Sequence, residues 1–410
     1  MNSESVDLIY LDPPFNSKRF YSAPIGSKAA GTSFKDMWAW KDVDEAYLER
    51  MVNDYPYLVQ FVEAVEMLHS KPMMAYLTYM TQRILEMHRI LKSTGSFYLH
   101  CDATSSHYLK IVCDRVFGKG NFLNEIVWCY RTGGASKKFF GRKHDILLFY
   151  SKSKKHNFNV QKERSYLTGQ LRHSKKNKTL TDENGQYQNV LFSKTNIKLY
   201  KDERGYYTMT SCRDYWNIDA VGRTSKERTG YPTQKPLALL RRVVEASSNK
   251  GDVVLDPFCG CATAMVAAQQ LGRKWIGIDV EEKSAELVME RLSDDAGLFS
   301  DFIHMRDVPV RTDIEITDIV DVKNKKRVKE KLGKQYGKVC NACGMSHYEN
   351  LEIDHVVPKS KGGQDTYSNY QLLCGNCNRT KGDRPMDYLM DKITKREKLL
   401  RHKITFGKKA

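Results

Sequence analysis

Four of the ten cysteines fall in two CxxC turns, Cys340–Cys343 and Cys374–Cys377, with 30 residues between the pairs. Thiolates in that pattern can close a tetrahedral shell around zinc, and such a closed shell is structural rather than catalytic. A segment this short has too little core to hold itself together, so the metal would supply the missing stability. The spacing therefore demands a small stapled domain near the C-terminus. The other six cysteines (Cys101, Cys113, Cys129, Cys212, Cys259 and Cys261) share no framework and read as reduced thiols.

A chain of 410 residues has room for two or three such cores. No run of 18 apolar residues occurs, and the start MNSESVDLIY lacks a signal peptide's basic and apolar regions. The expectation is a soluble intracellular protein with no membrane partner. The net charge of +17 is unevenly spread. Residues 151–230 hold 17 Lys and Arg against 8 Asp and Glu, and residues 323–410 hold 21 against 9. The remainder is slightly acidic, at 28 against 32. Two basic segments on a near-neutral scaffold point to a polyanion such as double-stranded DNA. Aromatic residues interleave the first segment (Tyr187, Phe192, Tyr200, Tyr206, Tyr207, Tyr215, Trp216), and bases stack on such rings.

Val6–Leu11 is an apolar run stopped by prolines, which predicts a buried strand. Residues 16–70 show little sheet pattern and read as a long loop plus a helix. From Leu77, the apolar positions Met80, Ile84, Met87 and Leu91 recur at helical spacing. That helix is expected to stop near Gly95, before a strand at Ser96–Leu99. Strand, helix and strand imply a right-handed crossover and a parallel sheet. Further strands are predicted at 145–150, Val253–Leu255 and Trp275–Ile278, with helices from Pro236 and over 263–271. The resulting division is a first strand-and-helix half (1–150), a basic aromatic segment (151–230), a second strand-and-helix half (231–300), a basic linker (301–338), a zinc-stapled domain (339–390) and a basic tail (391–410).

In VVLDPFCGCATAMVAAQQLGRKWIGIDV a small-residue turn joins a strand to a helix, and Asp279 ends the next strand 23 positions after Asp256. Such a turn lets a ligand approach the backbone and the helix N-terminus, and a carboxylate about 20 residues on suits a ribose diol. Together with Asp12-Pro13-Pro14-Phe15, YPTQKP at 231–236, RILKSTGSFYLHCD at 89–102 and KHDILLFYSK at 143–152, this resembles the beta group of amino-methylating DNA methyltransferases. The likeness spans residues 5–300, and it implies that 1–150 is the catalytic half, 151–230 the target-recognition segment and 231–300 the cofactor half. It implies an α/β class I fold dependent on S-adenosylmethionine, Rossmann-like with permuted motif order. It also implies that Phe258 and Gly260 line the cofactor pocket with Asp256, that Asp279 holds the ribose, and that Lys235 lies near the methionine end. Relatives of this part are often dimers, so a homodimer is an expectation. One departure stands out: the family's FxGxG appears here with Ala262 at the last glycine, and alanine resists positive φ.

An exocyclic base amine is a poor nucleophile because its lone pair is delocalised into the ring. Asp12 and the Pro13 carbonyl could accept its protons, Pro13 and Pro14 stiffen the turn, and Phe15 offers a face to a flipped base. Aspartate at the first position resembles the adenine-N6 enzymes more than the cytosine-N4 ones.

Between the CxxC pairs, LEIDHVVPKSKGG and YSNYQLLCGNCNRTKGDR resemble the HNH endonucleases and their ββα-metal domain. That resemblance implies His355 as general base, Asn369 as a loop tie, and Asp354 with Asn378 as holders of a divalent ion such as Mg²⁺. The first reading is a DNA amino-methyltransferase fused to an HNH nuclease, as in restriction and modification. A second keeps the methyltransferase and makes the C-terminal domain a DNA-docking module. A third has both sites inactive in a DNA-binding regulator.

Overall fold

The computed structural model describes residues 1–43, 48, 51–52, 54–133, 137–167, 178–192, 195–296, 313, 328–330, 332–333, 337–346 and 348–394. Most of the expected linker at 301–338 and the tail beyond 394 lie outside them. The chain divides into two compact units, residues 1–44 with 56–309, and residues 45–55 with 310–410.

The first unit is built on a seven-stranded sheet. Its strands are β1 (Val6–Leu11), β4 (Leu91–Cys101), β5 (Phe122–Cys129), β6 (His144–Ser151), β12 (Tyr215–Asn217), β13 (Val253–Asp256) and β14 (Lys274–Gly277). They lie in the order β12-β5-β6-β4-β1-β13-β14. Every residue of β1 is buried, as expected of a central strand covered on both faces. It pairs in parallel with β4 and with β13, with Ile9 opposite Leu255. Two segments from opposite ends of the unit thus lie side by side at its centre. The sheet is not wholly parallel: β6 runs antiparallel between β4 and β5. It follows β5 as a hairpin return, which needs no crossover.

Residues 16–70 hold more order than their sequence suggests. A hairpin of β2 (Arg19–Ser22) and β3 (Ser33–Asp36) follows the Asp12–Phe15 turn, and α1 (Pro56–Leu68) comes next. Helix α2 (Lys71–Ile90) starts earlier than its apolar spacing indicates, because the Ser70 hydroxyl caps Met73 and proline occupies the first turn. It also ends before Gly95, which lies inside β4. A Cβ there would come within 2.9 Å of the Asp7 carbonyl, so this glycine serves close packing rather than a helix stop. The first unit also contains α3 (Ser106–Cys113), α4 (Leu237–Ser247), α5 (Thr263–Gln270) and α6 (Glu282–Ala296).

The basic aromatic segment forms a separate five-stranded antiparallel sheet, of β7 (Lys162–Tyr166), β8 (Thr179–Asp182), β9 (Gly185–Phe192), β10 (Thr195–Asp202) and β11 (Gly205–Ser211). Its tyrosines pack on one another: Tyr200 stacks on Tyr207 at 5.3 Å, flanked by Tyr187 and Tyr166. Tyr200 and Tyr207 are buried. The Tyr200 and Tyr207 rings supply the core of a sheet poor in aliphatic residues and present no open faces to bases, whereas Tyr166 and Tyr187 are half-buried. Tyr215, by contrast, is exposed.

In the second unit β15 (Leu351–His355) pairs with β16 (Tyr370–Cys374), and α7 (Gly375–Lys381) follows directly. Its core gathers Leu351, Leu372, Leu373 and three of the paired cysteines, and it includes Val328 and Leu332 from the basic arm. Among the described residues no helix is long and apolar enough to cross a membrane.

Candidate active site and metal centre

Parallel pairing of β1 with β13 sets the Asp12-Pro13-Pro14-Phe15 turn beside the turn Pro257–Ala262, both at the carboxyl ends of the strands. Ligands of open α/β sheets bind at such an edge. A cavity of about 470 Å³ opens there, lined by Asp12, Pro13, Pro14, Phe15, Lys235, Asp256, Phe258, Gly260 and Asp279. That volume falls in the roughly 300–1,000 Å³ range of small-molecule sites. All nine residues singled out in the first unit meet in one pocket.

The glycine turn has the shape a ligand cradle needs. Gly260 has φ +49°, and a Cβ on it would lie 2.9 Å from the Tyr231 ring. Its N–H donates to Asp279 Oδ2 at 2.8 Å, while Asp279 Oδ1 accepts from Glu281 N. Each carboxylate oxygen keeps a further lone pair for a hydroxyl. Ala262 does adopt the left-handed conformation, at φ +65°, and caps α5. The turn is retained at a backbone cost of about 1–2 kcal/mol relative to glycine.

Asp12 is held by Lys235, whose Nζ donates to Oδ1 at 2.8 Å and Oδ2 at 2.6 Å. The ammonium also lies 5.3 Å from the centre of the Phe15 ring. Two more carboxylates stand close by. Asp256 is buried and accepts the Phe258 N–H at 3.0 Å. Burial pushes its carboxyl well above the usual range despite that bond, and the charges of Asp12 and Asp279 add to the rise.

Behind Asp12, the fully buried His100 on β4 joins Tyr10 Oη at 2.8 Å and Asp145 Oδ2 at 3.2 Å. Its Nδ1 stands 3.9 Å from Asp12 Oδ1. Burial works against ionisation of Asp145, but His100, Lys235 and the Tyr130 hydroxyl outweigh it and hold the carboxyl low. Sequence reasoning passed over this layer. Asp145 comes beside His100 through the antiparallel pairing of β6 with β4, and no local pattern announces that.

In the second unit the four cysteine sulfurs lie within 4.8 Å of one another. They form the single such cluster of cysteine, histidine or carboxylate ligands among the described residues. Cys343 and Cys374 sulfurs are 3.8 Å apart, too far for a disulfide and close to the edge of about 3.8 Å in a tetrahedron with 2.3 Å zinc–sulfur bonds. Burial opposes ionisation of Cys340, yet backbone N–H groups of the two turns bring its thiol down to about 7. The donor set fits zinc.

His355, at the end of β15, bonds through Nε2 to Asp365 Oδ1 at 2.8 Å. Bonds from Lys359, then His355, then Tyr370 hold Asp365 below the carboxylate range. An ionised Asp365 can only accept, so Nε2 of His355 is the donor in this bond, and Nδ1 is the ring nitrogen not engaged by Asp365. Asn369 ties the intervening loop, with Oδ1 accepting from Val357 N and Nδ2 donating to the Val357 and Gln364 carbonyls. Asp354 Oδ2 receives Gln371 Nε2 at 2.8 Å and Lys381 Nζ at 3.0 Å. Lys381 is fully buried and also donates to the His355 carbonyl at 2.7 Å. Asn378, one turn earlier on α7, donates to Glu352 Oε2 at 2.6 Å. Asp365, Glu352 and Lys381 are partners the sequence did not reveal. For Lys381, its position three residues after Asn378, on the helix that the ββα resemblance implies, was the available signal.

A family profile described as DNA methylase matches residues 6–290, and one described as HNH endonuclease matches residues 340–384. Type II methyltransferase M.EcaI of Enterobacter cloacae is 29% identical over 281 residues, which cover 56% of this chain and 60% of that protein. DNA adenine methyltransferase YhdJ of Escherichia coli (strain K12) is 27% identical over 293 residues, covering 71% of this chain and 77% of that protein. Type II methyltransferase M.HpaI of Haemophilus parainfluenzae is 28% identical over 257 residues, covering 62% and 71%.

Proposed function

This chain belongs to the N6/N4 DNA methylase family and carries a C-terminal HNH domain, and from that premise we propose that it both methylates and cuts DNA. The first unit would transfer a methyl group from S-adenosylmethionine to the exocyclic amine of a flipped base. The observation that carries this reading is the single cavity in which the Asp12 turn faces the Gly260 turn. When bound, S-adenosylmethionine supplies a methyl group on a sulfonium. Phe258, Gly260, Tyr231 and Asp279 are the residues that would hold it.

Asp12 would draw hydrogen bonds from the base amine. Lys235 occupies one lone pair on each carboxylate oxygen, which leaves a second on each for the amine. The ammonium also offsets the crowding of Asp12, Asp145 and Asp256. Adenine N6 is favoured over cytosine N4 by the Asp-Pro-Pro-Phe form of the turn, and YhdJ is by name an adenine methyltransferase.

In the HNH domain His355 would take a proton from water through Nδ1, with Asp354 and Asn378 holding Mg²⁺ at the departing oxygen. One observation favours a second reading, in which this domain only docks on DNA. Lys381 and Gln371 already occupy Asp354 Oδ2, and Asn378 is turned to Glu352.

Sequencing DNA with detection of modified bases, after expression in a methylation-free host, tests the first activity. The expected result is one modified base in one recurring sequence, and unmodified DNA would overturn the reading. His355→Ala tests the second. Nicking of plasmid in Mg²⁺ should vanish while methyl transfer persists, whereas a wild-type chain that binds plasmid and never nicks it favours docking.

A further inference from the structure

Directly after Phe15 the backbone turns left-handed twice, at Asn16 (φ +63°) and at Lys18 (φ +61°). Asparagine tolerates that region, but lysine gains nothing local from it. The Asn16 side chain does not brace the turn, because its Oδ1 is buried without a partner. The bracing comes from Asp36, 3% exposed at the end of β3. Its Oδ1 accepts the Asn16 N–H at 2.6 Å and its Oδ2 accepts the Ser17 N–H at 3.0 Å. Its carbonyl accepts the Lys18 N–H at 2.9 Å. Successive N–H groups converging on one carboxylate form an anion-holding concavity, here filled by the protein itself.

The mount for this carboxylate is anchored at the cofactor side. Phe34, on the same strand, stacks on Tyr231 at 6.2 Å, and Ala29 N donates to the Thr229 carbonyl at 3.1 Å. Asp36 also lines the cavity that holds Asp12, Phe15 and Gly260.

We propose that Asp36 is a positioning residue for methyl transfer, a carboxylate clamp that fixes the Asp12–Phe15 turn relative to the cofactor turn. This rests on the methyltransferase reading above. The role proposed for Asp36 is to hold the backbone of the groups that face base and methyl donor. A shift of about 1 Å in such groups costs on the order of 10²-fold in rate.

The test uses the full chain and its Asp36→Ala and Asp36→Asn variants. Labelled methyl transfer from S-adenosylmethionine to plasmid from a methylation-free host gives the rate, and calorimetry gives cofactor affinity. In Asp36→Ala, kcat should fall roughly 10- to 100-fold with cofactor Kd within about twofold. Asp36→Asn keeps one acceptor and should fall less, and it carries the test if the alanine variant does not fold. Added formate should restore part of the rate of Asp36→Ala and leave the wild type unchanged. A variant rate within about twofold of wild type overturns the proposal. So does a parallel loss of rate and cofactor affinity without a formate response. A wild-type chain that transfers no label overturns the methyltransferase reading, and the clamp with it.

Discussion

Asp12 and Lys235 meet across 223 positions of chain, whereas Asp354, His355, Asn369, Asn378 and Lys381 all come from one stretch of 28 residues. The methyl-transfer pocket is gathered by a sheet and sunk into it, and the Asp12 and Lys235 side chains are 18% and 9% exposed. The HNH site lies on a two-stranded hairpin and a helix of two turns, with a core stapled by thiols. In the first unit, pairing of central strands holds the chemistry in place. In the second, four thiols are grouped as a stapling metal would need where a large core is lacking. The two units are therefore expected to have opposite weaknesses, one to loss of buried charge balance and one to loss of the ion its thiols fit.

The sharpest way to break this contrast is to remove the zinc. Metal coordination by four thiolates contributes about 10–16 kcal/mol to folding of such domains. A strong chelator, or Cys374→Ser, should make residues 337–394 sensitive to protease and abolish bound zinc. Methyl transfer to plasmid should continue. A second unit that stays protease-resistant without metal would erase the distinction.

Next in size is the buried pair. Lys235→Met leaves the Asp12 carboxylate uncompensated beside Asp145 and Asp256, and breaking such a pair costs about 3–5 kcal/mol. Thermal unfolding should show that loss. Combining it with Asp12→Asn should recover most of the stability and none of the methyl transfer, which separates charge balance from chemistry.

The smallest effect concerns Asp256. Its pKa is raised in the folded state by burial, so its contribution to stability is present below the ordinary value near 3.9 and lost as pH rises through the raised one. Asp256→Asn keeps an acceptor for the Phe258 N–H. It should unfold roughly 2–4 °C higher than wild type at pH 8, and this advantage should disappear below about pH 4.

What the amino-acid pattern disclosed follows the same contrast. The paired cysteines and the Asp-His pair are close in sequence, and turn chemistry places them. The strand before Asp12 and the turn at Gly260 were legible too, because a fully buried strand and a small-residue turn each have a local signature. Their meeting in one cavity was implied only by the resemblance. His100, Asp145 and Asp36 went unnoticed, since each matters through pairing with distant strands. Tyr200 and Tyr207 of residues 151–230 were misjudged for a related reason. Composition does not tell whether aromatic rings face outward or pack on one another, and here Tyr200 and Tyr207 are core.

The adjacency of β1 and β13 has a consequence for how the protein is born. A nascent chain that has not yet extended through β13 would hold β1 with its flank bare on one side, because its neighbour has yet to leave the ribosome. Closing so long a loop is entropically slow, which ranks this as a high-contact-order step. For the interval until Val253 emerges, an apolar strand edge stands open to chaperones or to mispairing. The pocket can take shape only after the Pro257–Ala262 turn has emerged to join the Asp12–Phe15 turn.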